Sequence, residues 1–353
     1  MWVHQIASCS MMRIRCEQQP SQPHRTPAGL IFGSQQYPAN AQIEDRVLQA
    51  TQIGSSLLVG VLDGHGGWQV AEKLRTSLPR HIMRIADQEK KDDVILSQSF
   101  LAADEEIKTS MTEAYKLGFS RLAKVGACGL AVLIDSENIT VANAGDCKGL
   151  LCRKNLPIPI SKQQNANDLD EQIRLRALHP GEDDVVKCKK EWRESVRSGL
   201  FSTVEVPKYS GCYVKGLLQP TRSFGDFYLK DIQFATDFDR QRTFVAPHIP
   251  SSFPYLTVEP EISIFKRNID DKFLVLATDG LWDELNDEEV IVIVTKALKD
   301  GADPPGIANI LIEGALKKAA LSSGIRLEEM KRLPQGSSRR SLHDDISVVV
   351  VIF

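Results

Sequence analysis

The sequence lacks the features that mark several large classes of protein. No apolar run approaches the roughly 18 residues of a transmembrane helix, so we expect no membrane span. Basic residues are not in excess either, since 43 Lys and Arg stand against 46 Asp and Glu, for a net charge of −3. A nucleic-acid-binding domain usually carries an obvious basic surface, and this balance argues against one.

Closely spaced cysteine pairs are also missing. The seven cysteines contain no Cys-x-x-Cys pair and are odd in number, which disfavours both a zinc site and a disulfide framework. They are Cys9, Cys16, Cys128, Cys147, Cys152, Cys188 and Cys212. We therefore predict free thiols and an intracellular protein, because disulfides are rare in reducing compartments.

No internal repeat and no Gly/Ser linker divides residues 29–353, so one domain is the simplest interpretation. Residues 1–28 differ from the rest, with three arginines, the single acid Glu17 and a Pro/Gln/Ser cluster. Such a leader is typical of a flexible end or of a mitochondrial transit peptide. The sequence leaves a cytoplasmic and a mitochondrial location open.

Antiparallel strands and long helices are both indicated by the spacing of apolar residues, which predicts an α+β fold. Pro79 should kink or divide the first helix. Residues 181–215 are rich in charge and predict an irregular insertion. The predicted strands are 57–62, 130–134, 139–142, 149–152, 273–277 and 346–353, and the predicted helices are 71–85, 100–122, 286–298 and 307–321.

Carboxylates recur where these strands begin or end. Asp-Gly after a strand is by itself an ordinary turn signal. Five such sites on buried strands are harder to explain in this way, because buried carboxylates are costly unless they are paired or bind cations. Dispersed oxygen ligands suit Mg²⁺ or Mn²⁺. The sites are Glu44-Asp45, Asp63-Gly64, Asp146, Asp279-Gly280 and Asp344-Asp345.

The order and spacing of these segments over about residues 29–353 resemble the metal-dependent type 2C protein serine/threonine phosphatases. Residues 39–46, 216–226 and 254–261 are most similar to the pyruvate dehydrogenase phosphatase branch, as is Asp344-Asp345, where most of the family has Asp-Asn. The motifs are Ile43-Glu44-Asp45, Val61-Leu62-Asp63-Gly64-His65-Gly66-Gly67, Val141-Ala142-Asn143-Ala144-Gly145-Asp146, Arg222-Ser223-Phe224-Gly225-Asp226, Leu276-Ala277-Thr278-Asp279-Gly280-Leu281-Trp282-Asp283 and Asp344-Asp345-Ile346-Ser347.

The resemblance implies a four-layer α-β-β-α sandwich of two antiparallel sheets flanked by helices. It also implies two Mg²⁺ or Mn²⁺ ions in a cleft and a weaker third ion. By motif, Asp63 bridges two metals, and the Gly64 carbonyl, Asp279 and Asp344 are further ligands. Glu44 acts through water, and Asp45 supports that water shell. Asp146 and Asp283 match the third site, and His65 matches the general acid.

One position departs from the family pattern. Most members have an arginine that grips the substrate phosphate four residues before the motif glutamate, and this chain has Asn40 there. An amide cannot provide a charged bidentate clamp. We therefore predict that phosphate binding at Asn40 is weak and depends on the metals or on another cation such as Arg46.

The predicted function is hydrolysis of phosphoserine and phosphothreonine in proteins by a water activated between two metals, with His65 as the general acid. A phosphorylated subunit of a dehydrogenase complex is the substrate that the closer resemblance suggests. Two alternatives stay open. A pseudophosphatase would bind partners without metals, and a two-metal nuclease would be expected to carry the basic surface that this sequence lacks.

Overall fold

The computed structural model describes residues 23–26, 29–197, 203–235 and 252–353. Most of the predicted leader, with Cys9 and Cys16, lies outside the described residues. Within it, His24–Arg25 forms a short strand, β1, which pairs with the start of the next strand. The assignment of residues 1–28 as a leader stays a prediction.

A six-stranded antiparallel sheet has the order β1-β2-β15-β14-β8-β9. Its central strands read as continuous apolar runs because both faces are buried. The strands predicted at 149–152, 273–277 and 346–353 are confirmed in this sheet. Besides β1, its strands are β2 (Ile31–Tyr37), β8 (Lys148–Arg153), β9 (Leu156–Pro159), β14 (Asp271–Ala277) and β15 (Ile346–Ile352).

A seven-stranded sheet has the order β13-β7-β6-β5-β3. In addition, β4 pairs with β5, and β12 pairs with β6. The predicted strand 57–62 and the hairpin over 130–142 are confirmed here. The strands are β3 (Arg46–Val47), β4 (Thr51–Ile53), β5 (Ser56–His65), β6 (Gly126–Ile134), β7 (Asn138–Ala144), β12 (Phe224–Gly225) and β13 (Glu261–Lys266).

The predicted long helices are confirmed, and the first continues through Pro79 without being divided. Pro79 and the apolar face around Leu78 are buried, and such packing provides most of a helix's stability. The helices are α1 (Gln69–Ala86), α2 (Asp92–Lys116), α3 (Leu169–Leu178), α4 (Phe227–Lys230), α5 (Asp279–Trp282), α6 (Asp287–Lys299), α7 (Pro304–Ser322), α8 (Leu327–Arg332) and α9 (Ser337–Arg340). Within the described ranges, we find no helix whose length and apolar character would let it span a bilayer.

The two sheets pack face to face, and helices cover their outer faces. Successive residues of a strand point to opposite faces. On β5, Val59 and Val61 lie in the core between the sheets, while Leu58 and Leu62 pack under α1 and α2. Helices α6 and α7 cover the outer face of the six-stranded sheet in the same way. The predicted four-layer sandwich is confirmed.

The stretch predicted as an irregular insertion over 181–215 contains regular structure. Strands β10 (Val186–Arg197) and β11 (Thr203–Val214) form a separate antiparallel pair. The prediction was wrong because Lys190 and Glu194 interrupt the alternating apolar residues Val186, Cys188, Trp192 and Val196, so β10 reads as a charged segment rather than as a strand.

The same hairpin corrects the prediction that every thiol is free. Cys188 and Cys212 are cross-strand partners, and a disulfide joins their sulfur atoms. The pairing was missed because it depends on a hairpin that the sequence did not reveal. Cys128, Cys147 and Cys152 are free, as predicted, and the structure shows that they are buried.

Candidate metal centre and active site

The acidic residues predicted from the sequence meet at one end of the sheets. Asp63 lies near the end of β5, Asp146 follows β7, Asp279 begins α5 just after β14, and Asp344 precedes β15. Strands β5 and β7 run in the same direction on either side of β6, and β15 starts where the antiparallel β14 ends. The topology therefore brings together carboxylates that are more than 200 residues apart in the sequence.

The centre of this cluster consists of Asp63, Asp146 and Asp279. One carboxylate oxygen from each lies within 4.8 Å of the others. Burial, followed by the charges of nearby carboxylates, raises the pKa of Asp63 and Asp279 well above the ordinary range. Asp279 Oδ1 is buried and has no hydrogen-bond partner among the described residues. An unsatisfied carboxylate oxygen in an all-oxygen set fits a hard divalent cation.

Glu44 is held against the end of β5 by close backbone packing. A Cβ atom at position 64 would lie 2.4 Å from the Glu44 carbonyl oxygen, so only glycine allows this approach. Burial first, and then the charge of Asp345, raises the pKa of Glu44. Glu44 is therefore placed beside the segment that carries Asp63.

Asp45 is buried and is linked through Thr278 to strand β15. Its Oδ2 accepts a hydrogen bond of 2.8 Å from Thr278 Oγ1, and that hydroxyl accepts one of 3.0 Å from the Ser347 amide. Burial, followed by the charge of Asp345, raises the pKa of Asp45 well above its usual range. Its role as a support for the ligand shell stays a prediction.

Asp345 ties the loop before Glu44 to the start of β15. Its carboxylate accepts hydrogen bonds from the backbone amides of Ala39 (2.6 Å), Asn40 (3.0 Å) and Glu44 (2.8 Å). The side-chain amide of Asn40 donates a further bond of 2.9 Å to Asp345 Oδ2. The two positions at which the chain departs from the common family pattern, Asn40 and Asp345, therefore bind each other.

Asp344, the residue before Asp345, faces the acidic cluster. Burial raises its pKa to about 6, even though the neighbouring Arg340 acts in the opposite direction. The Arg340 guanidinium forms an ion pair with the Asp344 carboxylate.

Arg46, the predicted alternative cation, is already engaged. Its guanidinium donates to Glu72 Oε2 at 2.5 Å and to the carbonyl oxygens of Ile43 and Asp45 at 2.7 and 2.6 Å. Trp68 lies under the guanidinium, 5.9 Å from it. These contacts brace the loop that carries Glu44, and phosphate binding by Arg46 stays a prediction.

Asn40→Arg should lower the KM for a small phosphomonoester severalfold and change kcat less, because a cation stabilises ground-state and transition-state phosphate alike. Asn40→Ala is the matched control, since it removes the same bond to Asp345 without adding a charge. It should destabilise the protein by about 2 kcal/mol, which is typical of a lost hydrogen bond to a charged group. Steady-state kinetics and urea unfolding of both variants provide the test, and an unchanged KM in Asn40→Arg would show that Asn40 has only a structural role.

His65 was predicted from the sequence, but its partner was missed. His65 Nε2 lies 2.7 Å from Oδ2 of Asp226, a completely buried residue just after β12. Burial lowers the pKa of His65, but the charge and hydrogen bond of Asp226 outweigh this effect, so the pKa lies above its usual value. The Arg222–Asp226 motif was recognised, and nothing in its spacing shows that Asp226 faces His65.

Asp146→Ala or Asp283→Ala should slow turnover by about tenfold or more and leave tight metal binding in place, since both residues match the acids of the weaker third site. Asp146 lies in the central cluster, and Asp283 follows α5. Titration calorimetry with Mn²⁺ and a kinetic assay of each variant distinguish the two effects. Loss of all tight binding in either variant would place that aspartate in the primary site.

The family model described as "Protein phosphatase 2C" matches residues 43–324, which is most of the chain. The chain belongs to the protein phosphatase 2C family. It is accordingly a protein serine/threonine phosphatase, and the predicted enzyme class is confirmed.

Relatives of this phosphatase include plant proteins. "Probable protein phosphatase 2C 34" of Oryza sativa subsp. indica is 33% identical over 321 residues, covering 89% of this chain and 77% of the relative. "Probable protein phosphatase 2C 38" of Arabidopsis thaliana is 32% identical, with 83% and 71% covered. The serine-threonine phosphatase 2C structure from Toxoplasma gondii has a TM-score of 0.60 at 16% identity, covering 95% and 98% of the two chains, and supports the fold. The narrower resemblance to the pyruvate dehydrogenase phosphatase branch stays a prediction.

Proposed function

We propose that this phosphatase hydrolyses phosphoserine and phosphothreonine esters by direct attack of water, with two Mg²⁺ or Mn²⁺ ions and with His65 as the general acid. The convergence of Asp63, Asp146 and Asp279, with Asp279 Oδ1 unsatisfied, is the observation that carries this proposal. Two divalent cations, when bound, would neutralise the phosphate dianion and lower the pKa of the attacking water.

The proposed ligand roles rest on the resemblance to the phosphatase motifs. Asp63 lies at the centre of the cluster and would be shared between two ions. Asp279 and Asp344 would complete the primary site with the Gly64 carbonyl. Of the remaining acids, Glu44, Asp45, Asp146 and Asp283, we assign Asp146, which lies in the central cluster, and Asp283 to a weaker third ion.

His65 would deliver the proton that the serine or threonine oxygen needs in order to leave. An alkoxide is a poor leaving group, and a positioned acid typically contributes 10²- to 10⁴-fold to such a step. The raised pKa of His65 favours the protonated imidazole that this role requires. His65 lies two residues after Asp63, so the acid, the shared carboxylate and the Gly64 carbonyl are carried by one strand.

The test is release of inorganic phosphate from phosphoserine and phosphothreonine peptides, measured with Mn²⁺, with Mg²⁺ and in EDTA. We expect turnover with either metal and none in EDTA. The pseudophosphatase alternative predicts binding of the phosphopeptides without phosphate release in the presence of metal. Asp63, Asp279 and Asp344 are all present, which favours the enzyme.

For the substrate, the motif resemblance supports a phosphorylated subunit of a dehydrogenase complex, and the possible leader supports a mitochondrial as well as a cytoplasmic location. Both remain proposals. Comparing kcat/KM on a phosphorylated dehydrogenase subunit with that on unrelated phosphopeptides tests the first. A ratio near one would mean that the catalytic domain alone does not select this substrate.

A further inference from the structure

The contact between His65 and Asp226 is built into three strands. His65 is the last residue of β5 and pairs with Gly126 of β6, while Gly225, just before Asp226, pairs with the same Gly126 from the other side. A Cβ atom at position 126 would lie 2.0 Å from Asp226 Oδ2 and 2.5 Å from His65 Nε2. Only glycine at this position leaves the space in which the two side chains meet.

Asp226 is held in a conformation that an ordinary surface aspartate would not need. Its φ is 50°, in the left-handed region, where a residue other than glycine carries a cost of about 1–3 kcal/mol. Its side chain is completely buried, and Oδ2 accepts a second hydrogen bond of 2.7 Å from Ser223 Oγ. A buried carboxylate is stable only with such partners. The strained backbone and the buried side chain of Asp226 therefore both serve to place one carboxylate oxygen against His65.

The loop has a second anchorage besides the side chain of Asp226. Asp104 of α2 accepts a bond of 2.8 Å from the Gly225 amide and one of 2.7 Å from Lys230 Nζ. Lys230 Nζ also donates to the Ser223 carbonyl oxygen at 2.7 Å. This second network fixes the backbone on both sides of Asp226 without touching His65.

We propose that Asp226 is a positioning residue that holds His65 for proton delivery from Nδ1 to the departing ester oxygen. Because Nε2 is engaged by Asp226, Nδ1 is the ring nitrogen left for the leaving group. When the bond between phosphorus and the ester oxygen breaks, its electron pair stays on that oxygen, which takes the Nδ1 proton. Water supplies the oxygen of the new P–O bond and releases one proton to solvent, and solvent returns a proton to the neutral imidazole.

This inference rests on the proposed role of His65, so the experiment separates the two. It compares a phosphoserine peptide, whose alkoxide must be protonated, with p-nitrophenyl phosphate, whose leaving group departs without that help. The variants are Asp226→Asn, His65→Gln, the double variant, and Asp104→Asn as the matched control in the second network. All are assayed as full-length protein with Mn²⁺.

We expect Asp226→Asn to lower kcat on the phosphoserine peptide by about 10- to 100-fold, part of the contribution of a general acid, and to change kcat on p-nitrophenyl phosphate less than threefold. The double variant should be no slower than His65→Gln, because residues that act as a unit are not additive. Asp104→Asn should change both substrates by the same factor.

Suppose that His65→Gln lowers kcat on the phosphoserine peptide more than on p-nitrophenyl phosphate. The positioning role is then overturned if Asp226→Asn lowers kcat equally on the two substrates or on neither. If His65→Gln shows no such difference, the general-acid assignment itself fails. Should Asp226→Asn not fold, Ser223→Ala removes only the second bond to Oδ2. Ser223→Ala should lower kcat on the phosphoserine peptide by about two- to tenfold and leave kcat on p-nitrophenyl phosphate nearly unchanged. An equal effect on both substrates would contradict the proposal.

Discussion

Asp63→Asn should lower kcat by a factor of about 10³ or more. The substitution keeps the shape of the side chain and removes its charge from the centre of the cluster with Asp146 and Asp279. If this carboxylate serves two ions, its loss removes several kcal/mol of stabilisation of charge in the transition state, and about 4 kcal/mol corresponds to 10³ in rate. Titration calorimetry should show weakened Mn²⁺ binding in the same variant.

The control for this change is Asp271→Asn. Asp271 is also a buried aspartate in the sheets, but it lies at the opposite end of β14 from Asp279 and pairs with Arg153 at 2.6 Å. That variant should lose stability and retain kcat in the folded fraction. Full turnover by Asp63→Asn with unchanged Mn²⁺ binding would mean that another aspartate occupies the bridging position.

The metal-free protein should become less stable as the pH rises from about 4.5 to 6, between the ordinary range of an aspartate and the raised pKa of Asp344. Burial and then mutual repulsion raise the pKa of Asp45, Asp63 and Asp279 well above their usual range, and burial raises that of Asp344 to about 6. The folded chain therefore binds more protons than the unfolded chain in this window, so the free energy of unfolding falls as the pH rises. Each such proton contributes about 1.4 kcal/mol per pH unit.

Urea unfolding at several pH values in EDTA, and again with Mg²⁺, measures this effect. A bound cation replaces the protons, so Mg²⁺ should flatten the pH dependence and raise stability most at pH 8. The window lies above the range of Glu106 and Glu182, where ion pairs and hydrogen bonds outweigh burial and hold the pKa at about 2. Stability that is flat or rising with pH in EDTA would contradict the prediction.

Sequence reasoning located the core elements because their apolar spacing follows from burial. Strands such as β5 and β15 are buried on both faces, and the capping box at Asn286 and Glu289 marks the start of α6 locally. The hairpin of β10 and β11 was not located, because charged residues interrupt the apolar alternation of β10. Burial on both faces therefore makes the strands of the sandwich readable in sequence, whereas the separate, charge-rich hairpin is not.

The same limit applies to the site. The acids were identified because each stands at the end of a strand, and strand ends can be read from sequence. The contacts of Asp226 with His65 and of Asp345 with Asn40 join residues 161 and 305 positions apart. Such pairs are decided by the register of distant strands, which no local pattern encodes.

The hydrogen bonds that the Asp345 carboxylate accepts limit which parts of the protein can fold during its synthesis. Its partners lie between residues 39 and 44, and β15, which follows it, stands between β2 and β14 at the middle of the six-stranded sheet. A nascent chain therefore cannot order its Glu44 loop or complete that sheet until residues 344–352 have left the ribosome. Chains synthesised only as far as β14 would lack the closed acidic cluster, so phosphatase activity would begin only once residues 344–352 are present.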